Sequence, residues 1–168
     1  MDDAKNRATL LTFRLAGDKY ALRVSAVEEV LEYVTPTHIP GTSEVLAGVI
    51  NVRGRVIPVI DLRRRLGLSA EAPTVDTGII VADVHAGEDQ TVGLVVDAVD
   101  GVIEVDETEI DSAPRLGSHV AVELIDGIVK SGDAFTILLQ AERLVSVEEA
   151  ESLRSVVDSQ VHAGASTQ

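Results

Sequence analysis

The residues that most often carry out chemistry are scattered along this chain. No two of its four histidines have the spacing of a metal site; they are His38, His85, His119 and His162. Isolated histidines of this kind are far more often exposed loop residues than metal ligands. The absence of cysteine excludes a disulfide, a thiolate metal site and a cysteine nucleophile. The sequence also lacks a Walker A loop, a G-x-G-x-x-G turn and a G-x-S-x-G nucleophile elbow.

Two groups of carboxylates remain as candidates for metal binding or proton transfer. The acidic run at 106–111 lacks the D-x-[DN]-x-[DN]-G spacing and the later glutamate that enclose calcium. A solvated turn explains this run better. Asp97 and Asp100 could act as an acid–base pair, but Asp97 follows a predicted strand and Asp100 precedes Gly101, as is common at turns. We therefore expect no enzymatic activity and neither a metal nor another cofactor.

The composition narrows the classes of partner. Lys and Arg total 14 against 28 Asp and Glu, which gives a net charge of −14. A negative field of this size repels phosphates, so we expect no binding to nucleic acid or to anionic membrane surfaces. Residues 1–7 are polar and lack the apolar stretch of a signal peptide. No apolar run approaches the roughly 18 residues that a membrane span requires. We expect a soluble cytoplasmic protein that does not insert into the membrane.

The elements that must position any site are mostly short β-strands. Aromatic residues are few, whereas valine and isoleucine, whose branched side chains suit a pleated sheet, are abundant. Apolar runs separated by turn residues predict strands at 9–15, 20–24, 30–34, 48–52, 56–60, 78–84, 91–96, 102–105, 122–130 and 134–139. A linker at 69–77 divides these strands into two groups, and apolar residues recur at helical spacing from residue 142 onward. The pattern predicts two small β subdomains and a C-terminal helix.

Three local signals define the predicted turns. Gly54 supplies the positive φ that a tight reversal between strands 48–52 and 56–60 requires. Ser25 can cap a short helical turn that continues through Glu29. A second helical turn is predicted from Asp61 to Leu66 and is closed by Gly67.

The hairpin around Gly54 also carries the clearest motif. Residues 48–63 read G-V-I-N-V-R-G-R-V-I-P-V-I-D-L-R and closely resemble the G-x-x-N-L-R-G-x-x-[LIV]-P-[LIV]-x-D-L-R signature of the CheW family. Segments 13–20, 27–30, 92–99, 127–129 and 136–139 resemble further stretches of the same family in the expected order. The resemblance covers about residues 8–150. Val52 stands where the family more often has leucine, which is a conservative difference.

The resemblance implies a mainly β fold of two small, five-stranded, SH3-like β-barrels that pack together, with short helices and a C-terminal helix. It places a single CheW-like domain at 8–158. Subdomain 1 is expected at about 8–68, subdomain 2 at about 76–140 and the C-terminal helix at about 142–158. Residues 1–7 and 159–168 are expected to be flexible tails.

The resemblance also implies a non-catalytic adaptor in cytoplasmic chemotaxis arrays. Its partners would be the regulatory domain of the histidine kinase CheA and the cytoplasmic tip of methyl-accepting chemoreceptors. The residues that match the family's binding regions are Arg53, Asn51, Gly54, Val27, Glu29, Val30 and Val99. Aliphatic walls would accept the apolar stripe of a receptor helix, and an arginine at a hairpin tip can donate charge-assisted hydrogen bonds. Core packing remains an equal alternative for the three valines, and a role in the turn is favoured for Gly54.

Other interpretations stay open at this point. The chain could be the CheW-like part of a CheV or CheA protein, although we expect a stand-alone adaptor because only a short tail follows residue 158. It could also serve a non-flagellar array that controls pili or surface behaviour. From a different class, a small β-barrel could bind a ligand, which would require a sizeable lined cavity.

Overall fold

Short strands dominate the fold of the chain, which a computed structural model describes at residues 6–84, 90–112 and 122–166. The strands are β1 (Arg7–Leu15), β2 (Asp18–Arg23), β3 (Val27–Glu32), β4 (Leu46–Val52), β5 (Arg55–Asp61), β6 (Gly78–Asp83), β7 (Thr91–Val96), β8 (Ala98–Asp106), β9 (Ile110–Asp111), β10 (Ile125–Ser131) and β11 (Ala134–Leu139). The α-helices are α1 (Leu62–Arg65) and α2 (Val147–Ser166).

These strands form two sheets. The first sheet has the order β8-β1-β2-β11-β10-β9, and the second has the order β3-β6-β7-β5-β4. Neighbouring strands are antiparallel except for the parallel pairs β2–β11 and β5–β7. The mainly β architecture with a C-terminal helix confirms the predicted fold class. The first sheet has six strands instead of the expected five because the two-residue strand β9 extends its edge.

Membership of the sheets does not follow the expected division of the chain at the linker. β1 and β2 pair with β8 and β11, so the first sheet combines the beginning and the end of the strand region. β3 to β7 make the second sheet. The expected boundary between 8–68 and 76–140 therefore does not separate the two sheets, and this expectation is corrected. An apolar run specifies that a strand forms, but it does not specify the distant strand with which it pairs.

Successive residues of the central strands face different cores, which explains why these strands are almost continuously apolar. In β6, Ile79 lies in a core enclosed by the second sheet, whereas Ile80 lies in a larger core shared by both sheets. In β1, Leu10 lies in a core within the first sheet and Leu11 in the shared core. The shared core holds the two sheets together.

Two local predictions are corrected by the structure. Ser25 lies inside a 3-10 turn, Val24–Ala26, and the N-cap position of this turn is Arg23 and not Ser25. The residues that follow, which were predicted to continue a helical turn, form strand β3, because pairing with β6 outweighs their helix-like sequence. β8 is also longer than predicted and begins at Ala98 instead of residue 102.

Helix α2 begins later and ends later than predicted. Ser146 and Glu149 form a capping box in which the Ser146 hydroxyl accepts from the Glu149 N–H at 3.1 Å and the Glu149 carboxylate accepts from the Ser146 N–H at 2.9 Å. This cap fixes the helix start at Val147, after a 3-10 turn at Ala141–Arg143. The helix continues to Ser166, so most of the expected tail at 159–168 is helical.

Candidate protein-interaction site

The β4–β5 hairpin ends in a two-residue turn formed by Arg53 and Gly54. Their φ angles are 50° and 86°, which is the left-handed conformation that a type I′ turn requires at both central positions. The Asn51 side-chain oxygen accepts a hydrogen bond from the Gly54 N–H at 2.9 Å. The predicted positive φ of Gly54 is confirmed. The left-handed conformation of Arg53 was not predicted, because arginine has no preference for it.

Ion pairs join this hairpin tip to strand β3. The Arg53 side chain is 74% exposed, and its guanidinium donates to the carboxylate of Glu29. Next to it, Arg55 donates to Glu28 at 3.3 Å and to the Thr91 hydroxyl at 3.2 Å. We refer to the Arg53 turn with Glu28 and Glu29 as the anchored tip.

A β-bulge makes the anchored tip possible. The register of β3 against β6 shifts between Val27 and Glu29, so Glu28 is an additional residue in the strand. The shift lets the two adjacent glutamates meet two different arginines. The sequence motifs include Arg53 and Glu29 but do not indicate their contact, and they do not distinguish Glu28, Arg55 or Thr91 as site residues. The acidic pair in β3 and the basic pair at the tip carry opposite charges, but only the folded chain brings them together.

Two of the three apolar residues of β3, Val27 and Val30, lie on the side of the second sheet that carries the shared core, whereas Leu31 packs against the core enclosed by the second sheet. Val27 pairs with Ala82 and Val30 with Ile80, and both partners belong to the shared core. Directly paired residues point to the same side of a sheet. Val27 is half-buried against the shared core, whereas Val30 is 43% exposed. Val27 therefore packs mainly inside the protein, and Val30 presents an apolar side chain to solvent.

Val99 lies on β8, an edge strand of the first sheet. It pairs with Phe13 and is half-buried against the shared core. A Cβ added to Gly78 of β6 would lie 3.5 Å from Val99 Cγ2 and 3.5 Å from the Leu31 carbonyl oxygen, so β3 and β8 approach each other there. Val102 of β8 pairs with Leu11 on the same side and is 59% exposed. We call Val27, Val30, Val99 and Val102 the inter-sheet surface.

The structure thus divides the predicted site residues into two neighbouring groups. Arg53, Asn51, Gly54 and Glu29 meet at the anchored tip, and Val27, Val30 and Val99 lie on the inter-sheet surface. Strand β3 links the groups because it supplies Glu29 to one and two valines to the other. Val102 was missed because isolated exposed valines are common.

The carboxylates considered for acid–base or calcium chemistry have structural partners. Asp97 accepts from Arg63 through Nε at 2.8 Å and Nη2 at 2.5 Å, and from the Ala16 N–H at 2.9 Å. Burial acts to raise the pKa of Asp97, but these hydrogen bonds and the charge of Arg63 outweigh it and lower the pKa. Asp100 pairs with Arg14 at 3.1 Å.

The acidic run at 106–111 contains an exposed 3-10 turn, Glu107–Glu109. Asp106 caps it, and hydrogen bonds from Thr108 lower the pKa of Asp106. The prediction of a solvated turn is confirmed. In the described part of the chain, no three His, Asp or Glu side chains converge in a way that could hold a metal ion. None of the helices in that part is both long and apolar enough to cross a membrane.

A cleft of about 520 Å³ lies between α2 and the second sheet. Its walls include Leu46, Ile60 and Leu153, together with Arg65 and Glu149, which form an ion pair across its edge. None of the predicted site residues lines it. The anchored tip and the inter-sheet surface are instead open surfaces, which suit contact with another protein.

Comparison with known proteins agrees with this geometry. Residues 9–149 match the CheW-like domain. The chain is 35% identical over 150 residues to the chemotaxis protein CheW of Bacillus subtilis (strain 168). The aligned region covers 89% of this chain and 94% of the relative. It is 33% identical over 143 residues to a probable chemotaxis protein CheW of Rhizobium etli. This aligned region covers 85% of this chain and 90% of the relative.

The fold matches as well as the sequence. The crystal structure of the scaffolding protein TtCheW from Thermoanaerobacter tengcongensis superposes with a TM-score of 0.76 at 35% identity, covering 84% of this chain and 90% of that one. Since family, relatives and structure agree over nearly the whole strand region, this chain belongs to the CheW family of chemotaxis scaffolding proteins.

Proposed function

We propose that this protein is a non-catalytic adaptor that couples the cytoplasmic tip of methyl-accepting chemoreceptors to the regulatory domain of the histidine kinase CheA. It would act in the cytoplasm, at the membrane-associated receptor array. Family membership supports the scaffolding role. The observation that carries the proposal is that strand β3 joins a charged, exposed tip to an exposed apolar surface.

The inter-sheet surface suits the receptor helix. Val30 and Val102 are exposed, and Val27 and Val99 are half-buried, so an apolar stripe on a helix would find aliphatic side chains on both β3 and β8. Burying one exposed valine contributes about 1–2 kcal/mol. A few such contacts support the moderate affinity that a reversible signalling complex needs.

The anchored tip suits a polar contact with a partner. Glu29 holds the Arg53 side chain, so less rotamer entropy is lost when Arg53 binds. The guanidinium remains largely exposed and has further N–H groups to offer a carboxylate or a backbone carbonyl. Arginine is also one of the residue types that are enriched among the residues that dominate protein interfaces.

The polar contact is tested by the substitution Arg53→Ala. We expect the ternary complex with a soluble receptor fragment and CheA to be lost in size-exclusion chromatography, with the unfolding free energy changed by no more than about 0.5 kcal/mol. Arg64→Ala is the matched control, because Arg64 is also an exposed, ion-paired arginine but lies on α1. A large fall in melting temperature would make Arg53 a structural residue, and an intact complex would remove the tip from the binding site.

The apolar contact is tested by the substitution Val30→Asp. We expect the affinity for the receptor fragment alone to fall by about tenfold or more, because a carboxylate would be desolvated against an apolar helix. Val75→Asp, at a fully exposed linker position, is the matched control. Titration calorimetry measures both affinities. Unchanged binding of the Val30 variant would show that the receptor does not contact β3.

A further inference from the structure

The ion pair between Arg63 and Asp97 lies where the two sheets are joined. Among the strands the chain passes between the sheets twice, from β2 to β3 and from β7 to β8. The second passage consists of one residue, Asp97, because β7 ends at Val96 and β8 begins at Ala98. Because only one residue joins the two strands, the hydrogen bonds of Asp97 determine the direction in which the chain leaves β7 and enters β8.

The Asp97 carboxylate and backbone connect three parts of the chain. The Asp97 N–H donates to the Arg14 carbonyl at 3.0 Å, and its carboxylate accepts from the Ala16 N–H, which ties it to the β1–β2 turn of the first sheet. Arg63 binds the same carboxylate with two N–H groups from α1, directly after β5 of the second sheet. The Arg63 side chain is only 15% exposed and also donates to the Ser69 carbonyl at 2.8 Å.

The inter-sheet surface begins two residues after this junction. Val99 follows Asp97 on β8, and its side chain packs over Gly78, which pairs with Glu32 at the end of β3. The separation of β3 and β8 is therefore determined close to Asp97. A bidentate arginine–carboxylate pair fixes both distance and orientation, which a single hydrogen bond does not.

We propose that the Arg63–Asp97 pair is a positioning pair that sets the spacing of edge strands β3 and β8, and thereby the affinity of the inter-sheet surface for a receptor helix. This rests on the adaptor function proposed above. In this role the pair acts through the position of Val99 and needs no contact of its own with the partner. The pair is distinct from the anchored tip, with which it shares no residue.

The substitution Asp97→Asn tests this role, since it keeps the shape of the side chain and removes its charge. Spin labels on cysteines at Glu32→Cys and Glu104→Cys report the distance between β3 and β8, and they are specific because the chain has no cysteine of its own. We expect the distance distribution to broaden and the affinity for a soluble receptor fragment to fall about tenfold. Glu44→Gln, which breaks the exposed Arg64–Glu44 pair, is the matched control and should change neither quantity.

Arg63→Lys provides a second variant that keeps the charge but not the bidentate contact, and it decides the matter if Asp97→Asn does not fold. A lower melting temperature with an unchanged distance distribution and unchanged affinity would overturn the proposal and leave the pair as a stabilising contact. If the unmodified protein does not bind the receptor fragment, the adaptor function fails. In that case the distance measurement alone decides whether the pair positions β3 and β8.

Discussion

At the scale of single residues, the charged side chains of this protein act mainly as connectors between distant segments. Arg53 connects the hairpin tip to β3, and Arg63 connects α1 to the junction between the sheets. Arg23 connects β2 to Glu107 at 2.6 Å and to Asp126 at 3.1 Å. Exposed ion pairs contribute little to stability. We therefore expect the more exposed pairs to orient the segments that they connect and not to stabilise the fold. The partly buried Arg63–Asp97 pair contributes to both geometry and stability.

The lowered pKa of Asp97 predicts how its contribution depends on pH. A carboxyl whose pKa is lower in the folded state stabilises the fold above its unfolded pKa and loses this contribution as the pH falls through the folded value. The difference in unfolding free energy between the unmodified protein and Asp97→Asn should be largest above about pH 4 and shrink below it. Urea denaturation at a series of pH values measures it. A difference that is constant from neutral to strongly acidic pH would show that the charge of Asp97 does not stabilise the fold.

At the scale of elements, the edge strands and the C-terminal helix have different tasks. β3 and β8 leave apolar side chains exposed, whereas α2 covers apolar surface. Ala150 and Leu153 of α2 are buried in the shared core, and Glu149 pairs with Arg65. The helix therefore completes the core on the side of the second sheet.

The role of α2 gives a prediction for Leu153→Ala. Removal of this buried side chain should lower the unfolding free energy by about 2–4 kcal/mol. Val147→Ala is the control because Val147, at the start of the same helix, is half-exposed; it should cost far less. Thermal denaturation followed by circular dichroism compares the two. Equal effects would show that α2 does not contribute Leu153 to the core.

The sequence was sufficient to predict most of the strands but not their partners. Successive residues of β6, β7 and β11 face different cores, and these strands are therefore almost continuously apolar. Their bounds were predicted to within about a residue. β3 was mistaken for a helical turn in its first half, because serine followed by glutamates is typical of a helix start. Pairing of β1 with β8, and of Arg53 with Glu29, depends on contacts between residues far apart in the chain, which no local pattern contains.

At the scale of the whole molecule, the shared core makes the two sheets one cooperative unit. Its residues come from both sheets and from α2, and the first sheet cannot form without strands from both ends of the strand region. We expect a single unfolding transition, coincident when it is followed by secondary-structure and by tertiary-structure probes. Two separated transitions would show that the sheets are independent domains, and that the spacing of β3 and β8 is not fixed by the fold.

The adaptor function is tested most directly by the activity of the kinase. CheA autophosphorylation is measured with a membrane-free receptor fragment, with and without this protein. We predict that the rate changes with the receptor only when this protein is present, and that Arg53→Ala abolishes the effect while Arg64→Ala does not. A rate that responds to the receptor equally well without this protein, or not at all with it, would contradict the proposed coupling function.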